Sequence, residues 1–210
     1  MVQTLAITEA VTTLAQVETK FNLRPAVDPE FFHEWQQDLP ELTLAEVSRL
    51  DLIKQRYLYH RKHGPLAEAT VNFIVIAPLL EMAGFYDPPF LLRSEVAVQI
   101  QAEDQEQILR GRIDTLVLQE RLWVLILESK QTTFSTGVAL PQALAYMIGS
   151  PDPDRPTYGF VSNGEYFMFL KLLNRGQREY AFSNDFSMYQ QQNTLVDVLK
   201  ILKKLGQLIQ

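Results

Sequence analysis

The pattern of apolar and polar positions changes along the chain, and each part predicts a different kind of element. Residues 1–64 are expected to be helical. Thr43 and Glu46 form a capping-box pattern before an amphipathic run that continues to about Lys62. A shorter helix is expected over residues 28–35, where an Asp-Pro pair supplies a cap and a first helical residue. The first third of the chain is therefore predicted to form a helical extension.

A second helix is predicted over residues 65–83, and it should stop at Gly84, because glycine is common just after a helix. Pro78 lies inside this segment and is expected to kink it, since proline cannot donate the helix hydrogen bond. The spacing of the apolar residues then changes. Apolar and polar residues alternate over residues 91–100, which predicts a strand.

Two apolar segments joined by a short polar turn, residues 111–118 and 122–128, predict a β-hairpin. A turn centred on residues 120–121 would place Asp114 opposite Glu128, within about one residue of register. The Cβ atoms of such cross-strand neighbours lie roughly 4.5–5.5 Å apart. The pattern thus predicts that two carboxylates meet beside the most apolar strand of the chain.

Glu128 and Lys130 are two residues apart, so their side chains should point to the same face of that strand. Charged groups at the end of an apolar strand are costly to bury unless they are paired or bind a metal. Two adjacent carboxylates repel each other unless a cation bridges them, and their oxygens suit Mg²⁺ or Mn²⁺ better than zinc. We therefore predict a divalent metal site at Asp114 and Glu128.

The rest of the chain predicts one more α/β unit and a terminal helix. Residues 138–148 have a helical pattern, and Asn163-Gly164 is a strong hairpin signal between the apolar segments 158–162 and 166–170. An apolar stripe with basic outer residues predicts a helix over residues 195–209. Helix, three strands, helix and strand in this order indicate a mixed sheet flanked by helices.

Three motifs lie on this order of elements: Ile113-Asp114, then Glu128-Ser129-Lys130, then Gln142-Ala-Leu-Ala-Tyr146 on the next helix. Together they resemble the PD-(D/E)XK nuclease superfamily, which has the restriction-endonuclease-like fold. The Gln-x-x-x-Tyr motif and the helix that starts near Glu68 are similar to the N-terminal nuclease module of type I restriction enzyme R subunits. The resemblance covers roughly residues 65–173, and no helicase motor accompanies it.

The resemblance implies an α/β fold with an αβββαβ core. We expect a helical extension at residues 1–64, a nuclease-like core at 65–190 and a C-terminal helix at 191–210, packed as one compact domain. The implied activity is Mg²⁺-dependent (or Mn²⁺-dependent) hydrolysis of DNA phosphodiester bonds by an endonuclease of restriction, repair or defence. The alternative is a catalytically silent DNA-binding or assembly module of a restriction or defence complex with the same fold.

The resemblance also assigns roles to the central residues. Asp114, Glu128 and the backbone carbonyl of Ser129 would hold the metal. Lys130 would hold the attacking water or help to deprotonate it, and it would stabilise negative charge. The alternative for Lys130 is a structural ion pair with Glu128.

Two helices are expected to complete the site. Gln142 would position the water or the scissile strand, although it could equally form the polar face of a helix. Tyr146 would contact nucleic acid or belong to the core. Glu68 would act as an auxiliary acid, with Glu81 and Glu95 as rivals that we expect to be mostly structural.

Nucleic-acid contacts are expected from the densest basic segment, residues 54–63, in which cationic and aromatic side chains alternate. Arg56, Arg61 and Lys62 would follow the phosphate backbone, and Thr132 and Thr133 could also meet phosphates. The alternative is a solvated helix end whose tyrosines pack on the core.

Composition limits the remaining classes. The 210 residues carry a net charge of −6, which counts mildly against a nucleic-acid partner. The sequence has no cysteine, so thiolate metal sites are not expected. It has no phosphate-binding loop, so a nucleotide cofactor is not expected. It has no apolar run near the ~20 residues that span a bilayer, so a membrane span is not expected either. A cytoplasmic protein is expected. A homodimer, partner subunits and the choice between DNA and RNA are left open.

Overall fold

The computed structural model describes residues 3–101, 107–118, 122–126, 136–150 and 152–209. These residues form helices α1 (Ile7–Ala10), α2 (Leu14–Phe21), α3 (Leu44–Arg61), α4 (Glu68–Val71), α5 (Ala77–Met82), α6 (Thr136–Ile148) and α7 (Leu195–Leu208). A 3-10 helix covers His33–Trp35, and a π-helical turn, Asn72–Ile76, joins α4 to α5. The strands are β1 (Gln3–Ala6), β2 (Leu23–Pro25), β3 (Leu91–Gln101), β4 (Gln107–Leu118), β5 (Leu122–Ile126), β6 (Thr157–Ser162), β7 (Tyr166–Leu173), β8 (Arg178–Phe182) and β9 (Phe186–Ser187).

All of these strands belong to one mixed sheet. Its long path is β4-β5-β6-β7-β8-β2, and β3 pairs with β4 along nearly its whole length. Because β3 occupies one edge of β4, β1 and β5 share the other edge, at the beginning and end of β4 respectively. The pairs β1–β4, β2–β8 and β5–β6 are parallel, and the others are antiparallel.

Helices cover both faces of the sheet. On one face α1, α2 and α6 pack against inward residues such as Val161 and Leu170. On the other face α3, the helical segment α4–α5 and α7 pack against Phe160 and Phe169. Consecutive residues of β6 therefore face different helical layers, as side-chain alternation along a strand requires. The result is a three-layer α/β architecture, which confirms the predicted fold class.

The first 64 residues are not helical throughout. β1 and β2 lie in this stretch, and they pair in parallel with β4 and β8. Strands of three or four residues carry too little periodicity to be recognised alone, because distant partners stabilise them. Over residues 28–35 only His33–Trp35 is helical, and the Asp28 carboxylate accepts a hydrogen bond from the Glu30 amide at 2.9 Å within a turn. The expected cap at Asp28 therefore closes a turn instead of a helix.

The predicted α3 helix and its capping box are confirmed, with the Thr43 hydroxyl accepting from the Glu46 amide. The next helix begins at Glu68 instead of Pro65. The disruption expected at Pro78 takes the form of the π-helical turn just before it. A π turn widens the helix, and proline removes one helix hydrogen bond and crowds the preceding turn, so the two features fit together.

The hairpin at Asn163-Gly164 is also confirmed. Gly164 has φ +85°, a conformation that glycine adopts at little cost. The Asn163 side-chain oxygen accepts hydrogen bonds from the amides of Glu165 and Tyr166 at 3.0 and 2.9 Å, which fixes the turn. Among the described residues, no helix combines the length and the apolar character that a membrane crossing needs.

Candidate functional site

Strands β5 and β6 end together at one edge of the sheet. They are parallel, and Ile126, the last residue of β5, pairs with Ser162, the last residue of β6. We call this the carboxyl edge, defined by Ile126 and Ser162. Glu128 is only two residues past Ile126 along the chain, and the carboxyl ends of parallel strands are where α/β proteins commonly place their ligands.

Asp114 lies on β4, beside β5, but not in the predicted register. Thr115 pairs with Val124, so the next position along places Leu125, rather than Glu128, opposite Asp114. The pairing extends to Val117 and Leu122, which moves the centre of the turn about one residue earlier than predicted. The backbone of Asp114 still lies next to the penultimate residue of β5, close to the carboxyl edge.

The other neighbour of Asp114 is on the edge strand β3. Ser94 pairs with Thr115 and Val96 pairs with Ile113, so these two pairs bracket Glu95 and Asp114. Glu95, which we expected to be mostly structural, is thus the backbone neighbour of Asp114 on β3. Residues opposite each other on an antiparallel pair are close enough to interact.

Gln142 reaches the surface from a stretch of α6, residues 139–148, that is otherwise buried. Because α6 connects two parallel strands, it runs antiparallel to them, and its first turns lie at the carboxyl edge. Every residue from 139 to 148 is buried except Gln142, which is half-buried. A single polar side chain on such a helix indicates where the helix meets solvent, as the predicted role of Gln142 requires.

Tyr146, one turn further along α6, belongs to the core. Its side chain is 4% exposed and lies against β4 at Gly111. A Cβ atom at Gly111 would be 2.6 Å from Tyr146 Cε1 and 2.7 Å from its hydroxyl oxygen, so only glycine allows this approach. This position matches the core alternative and leaves the ring little surface for contact with nucleic acid.

Glu68 approaches the carboxyl edge from the opposite face of the sheet. It is the first residue of α4, and Val71, one turn later, packs over the hairpin that follows β6. A Cβ atom at Gly164 would lie 2.8 Å from Val71 Cγ1. Helix α4, which begins at Glu68, and the first turns of α6, which carry Gln142, therefore approach the same edge from the two helical layers. Glu81 lies on α5 and pairs with Arg49.

The C-terminal end of α3 also lies at this edge. Tyr57 is fully buried against Gly164, and burial raises the pKa of its hydroxyl above the usual value. Arg61 Nε donates to Glu165 Oε1, and this hydrogen bond raises the pKa of Arg61. Arg61 is thus engaged in a half-buried ion pair, which is an unsuitable position for the predicted phosphate contact.

The rest of the basic segment divides into bound and exposed residues. Lys54 Nζ donates to the carbonyl oxygens of Gln190 and Gln192 at 2.6 and 3.3 Å, so it holds the segment before α7. Arg56 and Lys62 are exposed, and their contact with nucleic acid stays a prediction. Only part of the basic segment therefore presents its cations to solvent.

Five predicted site residues lie outside the described part of the chain: Glu128, Ser129, Lys130, Thr132 and Thr133. Their roles stay predictions, and so does the metal site, because the side chain of Asp114 is not described either. Within the described residues no group of three or more acidic or histidine side chains is placed to hold a metal ion. The expected donor set, two carboxylates and a carbonyl oxygen, fits Mg²⁺ or Mn²⁺ by its chemistry.

A sequence comparison now identifies the family. The model for the type I restriction enzyme R protein N terminus matches residues 31–178. The chain belongs to this family. The match covers more than half of the chain and begins ahead of α3, so the family region is longer than the stretch 65–173 over which the resemblance was visible. No curated protein matches the chain.

The structure also reveals a buried charge cluster that sequence patterns did not predict. Lys171 Nζ lies 2.5 Å from Glu34 Oε1 and 2.7 Å from the carbonyl oxygen of Phe31. The Tyr158 hydroxyl donates to the same Glu34 oxygen at 3.0 Å. The alternation of residues on β7 could have indicated this cluster. Lys171 shares a strand face with the core residues Phe167 and Phe169, and a charge on that face needs a partner. The cluster fastens the segment ahead of α3 to the sheet.

Proposed function

We propose that the protein is a Mg²⁺- or Mn²⁺-dependent DNA endonuclease that acts in restriction, repair or defence. The observation that supports this most is the convergence at the carboxyl edge. Gln142 and Glu68 arrive there from opposite helical layers, and the backbone of Asp114 lies beside β5. The chain that leaves β5 leads directly into Glu128, Ser129 and Lys130.

In this proposal Asp114, Glu128 and the backbone carbonyl of Ser129 hold the metal ion. When bound, the metal lowers the pKa of a water molecule and offsets the charge on the reacting phosphate. Lys130 holds the attacking water by a hydrogen bond and stabilises the negative charge that develops on the phosphate oxygens.

The helical residues would orient the reactants. Gln142 donates a hydrogen bond from its amide to the water or to the scissile strand, and its half-buried position between buried residues of α6 limits its movement. Glu68 accepts a proton or orients a second water from the opposite side. Glu95 becomes a rival to Glu68, because it is bracketed beside Asp114 on the neighbouring strand.

The second candidate is a catalytically silent DNA-binding or assembly module of a restriction or defence complex. One observation favours it: Lys54 and Arg61 are committed to contacts within the protein, in a chain whose net charge is −6. Fewer free cations lower the expected affinity of an isolated chain for DNA, since phosphate contacts supply most of that affinity. Partner subunits would then supply the missing contacts.

A plasmid-nicking assay distinguishes the two candidates. Supercoiled DNA is incubated with Mg²⁺, Mn²⁺ or EDTA, and we expect metal-dependent nicking by the wild type. Asp114→Ala and Lys130→Ala should each lose roughly 10²-fold or more in rate, the usual loss for a catalytic charged group, while their DNA binding and circular dichroism stay close to the wild type. Asp154→Ala, which removes an exposed carboxylate from the loop before β6, at the opposite end of that strand, is the matched control and should cut normally.

Two results would contradict the nuclease proposal. One is a wild type that binds DNA but cuts none under any metal condition, which supports the silent module. The other is an Asp114→Ala variant that cuts as fast as the wild type, which would move the metal site elsewhere.

A further inference from the structure

One face of α3 continues across to the π-helical turn and carries two unusually exposed aromatic rings. Tyr59 is 59% exposed and Phe73 is 79% exposed. Phenylalanine is normally among the most buried residues, so a ring this open needs an explanation. We call the surface formed by Arg56, Tyr59, Lys62 and Phe73 the aromatic stripe.

A groove between α3 and the π-helical turn holds two members of the stripe. It has a volume of about 270 Å³, and Arg56 of α3 and Phe73 of the turn both line it. Tyr59 is three residues after Arg56, so the two side chains lie on the same side of the helix. The Tyr59 ring therefore lies next to the Arg56 end of the groove.

One cation and two imidazole rings surround Tyr59. Lys62 Nζ lies 5.4 Å from the centre of the Tyr59 ring, and the rings of His60 and His63 approach it edge-on at 5.3 and 5.4 Å. In the described part of the chain, neither Arg56 nor Lys62 makes an ion pair. The arrangement suits a ligand that offers flat rings and negative charge together.

At the far end of the groove the charge is balanced. Arg49 also lines the groove, but it pairs with Glu81 at 2.9 Å. An anionic ligand would therefore be held most strongly at the Tyr59 end. That end is the one nearer the carboxyl edge, because Tyr57 and Arg61 of the same helix contact the hairpin after β6.

We propose that the aromatic stripe binds single-stranded DNA, with Tyr59 and Phe73 stacking on bases and with Arg56 and Lys62 contacting phosphates. This proposal rests on the proposed nuclease function and specifies its substrate as single-stranded DNA. A strand that is bound to the stripe would reach the carboxyl edge unpaired. Bases in a duplex have their faces covered, whereas single strands offer them to aromatic side chains. The groove also carries apolar side chains, among them Leu52, Ile74 and Pro78. The cations Arg56 and Lys62 at the Tyr59 end favour an anionic ligand with exposed rings over an apolar protein segment.

The proposal predicts how binding of labelled single-stranded oligonucleotide responds to substitution, measured by fluorescence anisotropy. Tyr59→Ala and Phe73→Ala should each weaken binding about 5- to 150-fold, the range found when base stacking is removed. Tyr59→Phe and Phe73→Trp should bind like the wild type. Arg56→Gln should flatten the slope of log affinity against log salt by about 0.7 for a single strand.

Matched controls make the result specific. Tyr86 is 47% exposed and is not among the residues that line the groove, so Tyr86→Ala should not change affinity. A duplex of the same sequence should lose much less affinity than the single strand in the Tyr59→Ala and Phe73→Ala variants. All the variants alter exposed side chains, and unchanged melting temperatures would show that they fold.

The outcomes separate this proposal from the nuclease proposal. If Tyr59→Ala and Phe73→Ala bind single strands as the wild type does, the stripe proposal is wrong even where metal-dependent nicking is seen. Equal loss for duplex and single strand, or full affinity in Tyr59→Leu and Phe73→Leu, would also overturn it, because stacking would not be the cause. Selective loss in the alanine variants supports it even if the wild type cuts no DNA.

Discussion

A methyl group at Gly111 would test the packing that places α6 on the sheet. In Gly111→Ala the new Cβ atom would lie 2.6 Å from Tyr146 Cε1, 2.7 Å from its hydroxyl oxygen and 3.0 Å from Ile7 Cδ1. Favourable contacts between carbon atoms lie at about 3.5–4.0 Å. The Tyr146 ring must therefore retreat by about 1 Å.

The ring cannot retreat freely, because residues 143–148 of α6 are all buried. Overpacking of this kind costs about 1–3 kcal/mol. For a chain of this size about 1 kcal/mol corresponds to roughly 2–4 °C in melting temperature, so we expect Gly111→Ala to lower it by about 2–12 °C.

The assay is urea unfolding of a double-mutant cycle that combines Gly111→Ala with Tyr146→Leu. Leucine lacks the part of the ring that meets the new methyl group, so the double variant should lose less than the sum of the two single variants. We expect a coupling energy of about 0.5–3 kcal/mol. A Gly111→Ala variant as stable as the wild type, or strictly additive losses, would refute the packing described here.

Three further predictions follow from other parts of the molecule. Lys171→Met should destabilise the protein by about 3–5 kcal/mol in urea unfolding, because it leaves Glu34 buried without its partner. Adding Glu34→Leu should recover much of this loss, and additive losses would argue against the pair. Hydrogen bonds from Lys203 and the Thr43 amide lower the pKa of Glu46 to about 2. Since the folded pKa lies below the unfolded one, Glu46 stabilises the protein fully above about pH 4.5 and loses this effect as the pH falls towards 2. The stability difference between the wild type and Glu46→Gln should therefore shrink over this range, and a difference that stays constant from about pH 5 to 2 would contradict this. Mn²⁺ titrated in a calorimeter should bind the wild type and bind Asp114→Ala much more weakly, and equal binding would remove Asp114 from the metal site.

Local signals predicted the elements that depend on local interactions. The capping box at Thr43 begins α3, and the Asn163-Gly164 pair forms the β6–β7 hairpin. The helical periods of α6 and α7 also gave the right elements. In each case the stabilising contact lies within a few residues along the chain, which is the range over which a sequence pattern carries information.

Features that depend on distant contacts could not be predicted in this way. β1 and β2 are strands only because β4 and β8 lie beside them. Arg61 was expected on the surface, but its partner Glu165 is 104 residues away along the chain. Nothing near Arg61 in the sequence indicates this pair.

The site itself stays a prediction, and only part of its backbone surroundings could be predicted. The positions of Gln142 and Glu68 on helices that flank the sheet follow from the order of elements. The register of the β4–β5 hairpin did not, because a turn shifted by one residue changes every cross-strand neighbour. The proximity of Glu95 to Asp114 was likewise invisible, since it depends on the register of β3.

The central claim is that a divalent metal binds at the carboxyl edge between Asp114 and Glu128. Iron-directed cleavage tests its location directly: Fe²⁺ replaces Mg²⁺, ascorbate and peroxide are added, and backbone cuts are mapped by mass spectrometry. We expect cuts to cluster near residues 112–116, 126–130 and 140–144, to be suppressed by excess Mg²⁺ and to disappear in Asp114→Ala. Cuts that are scattered, or that persist unchanged in Asp114→Ala, would contradict the claim.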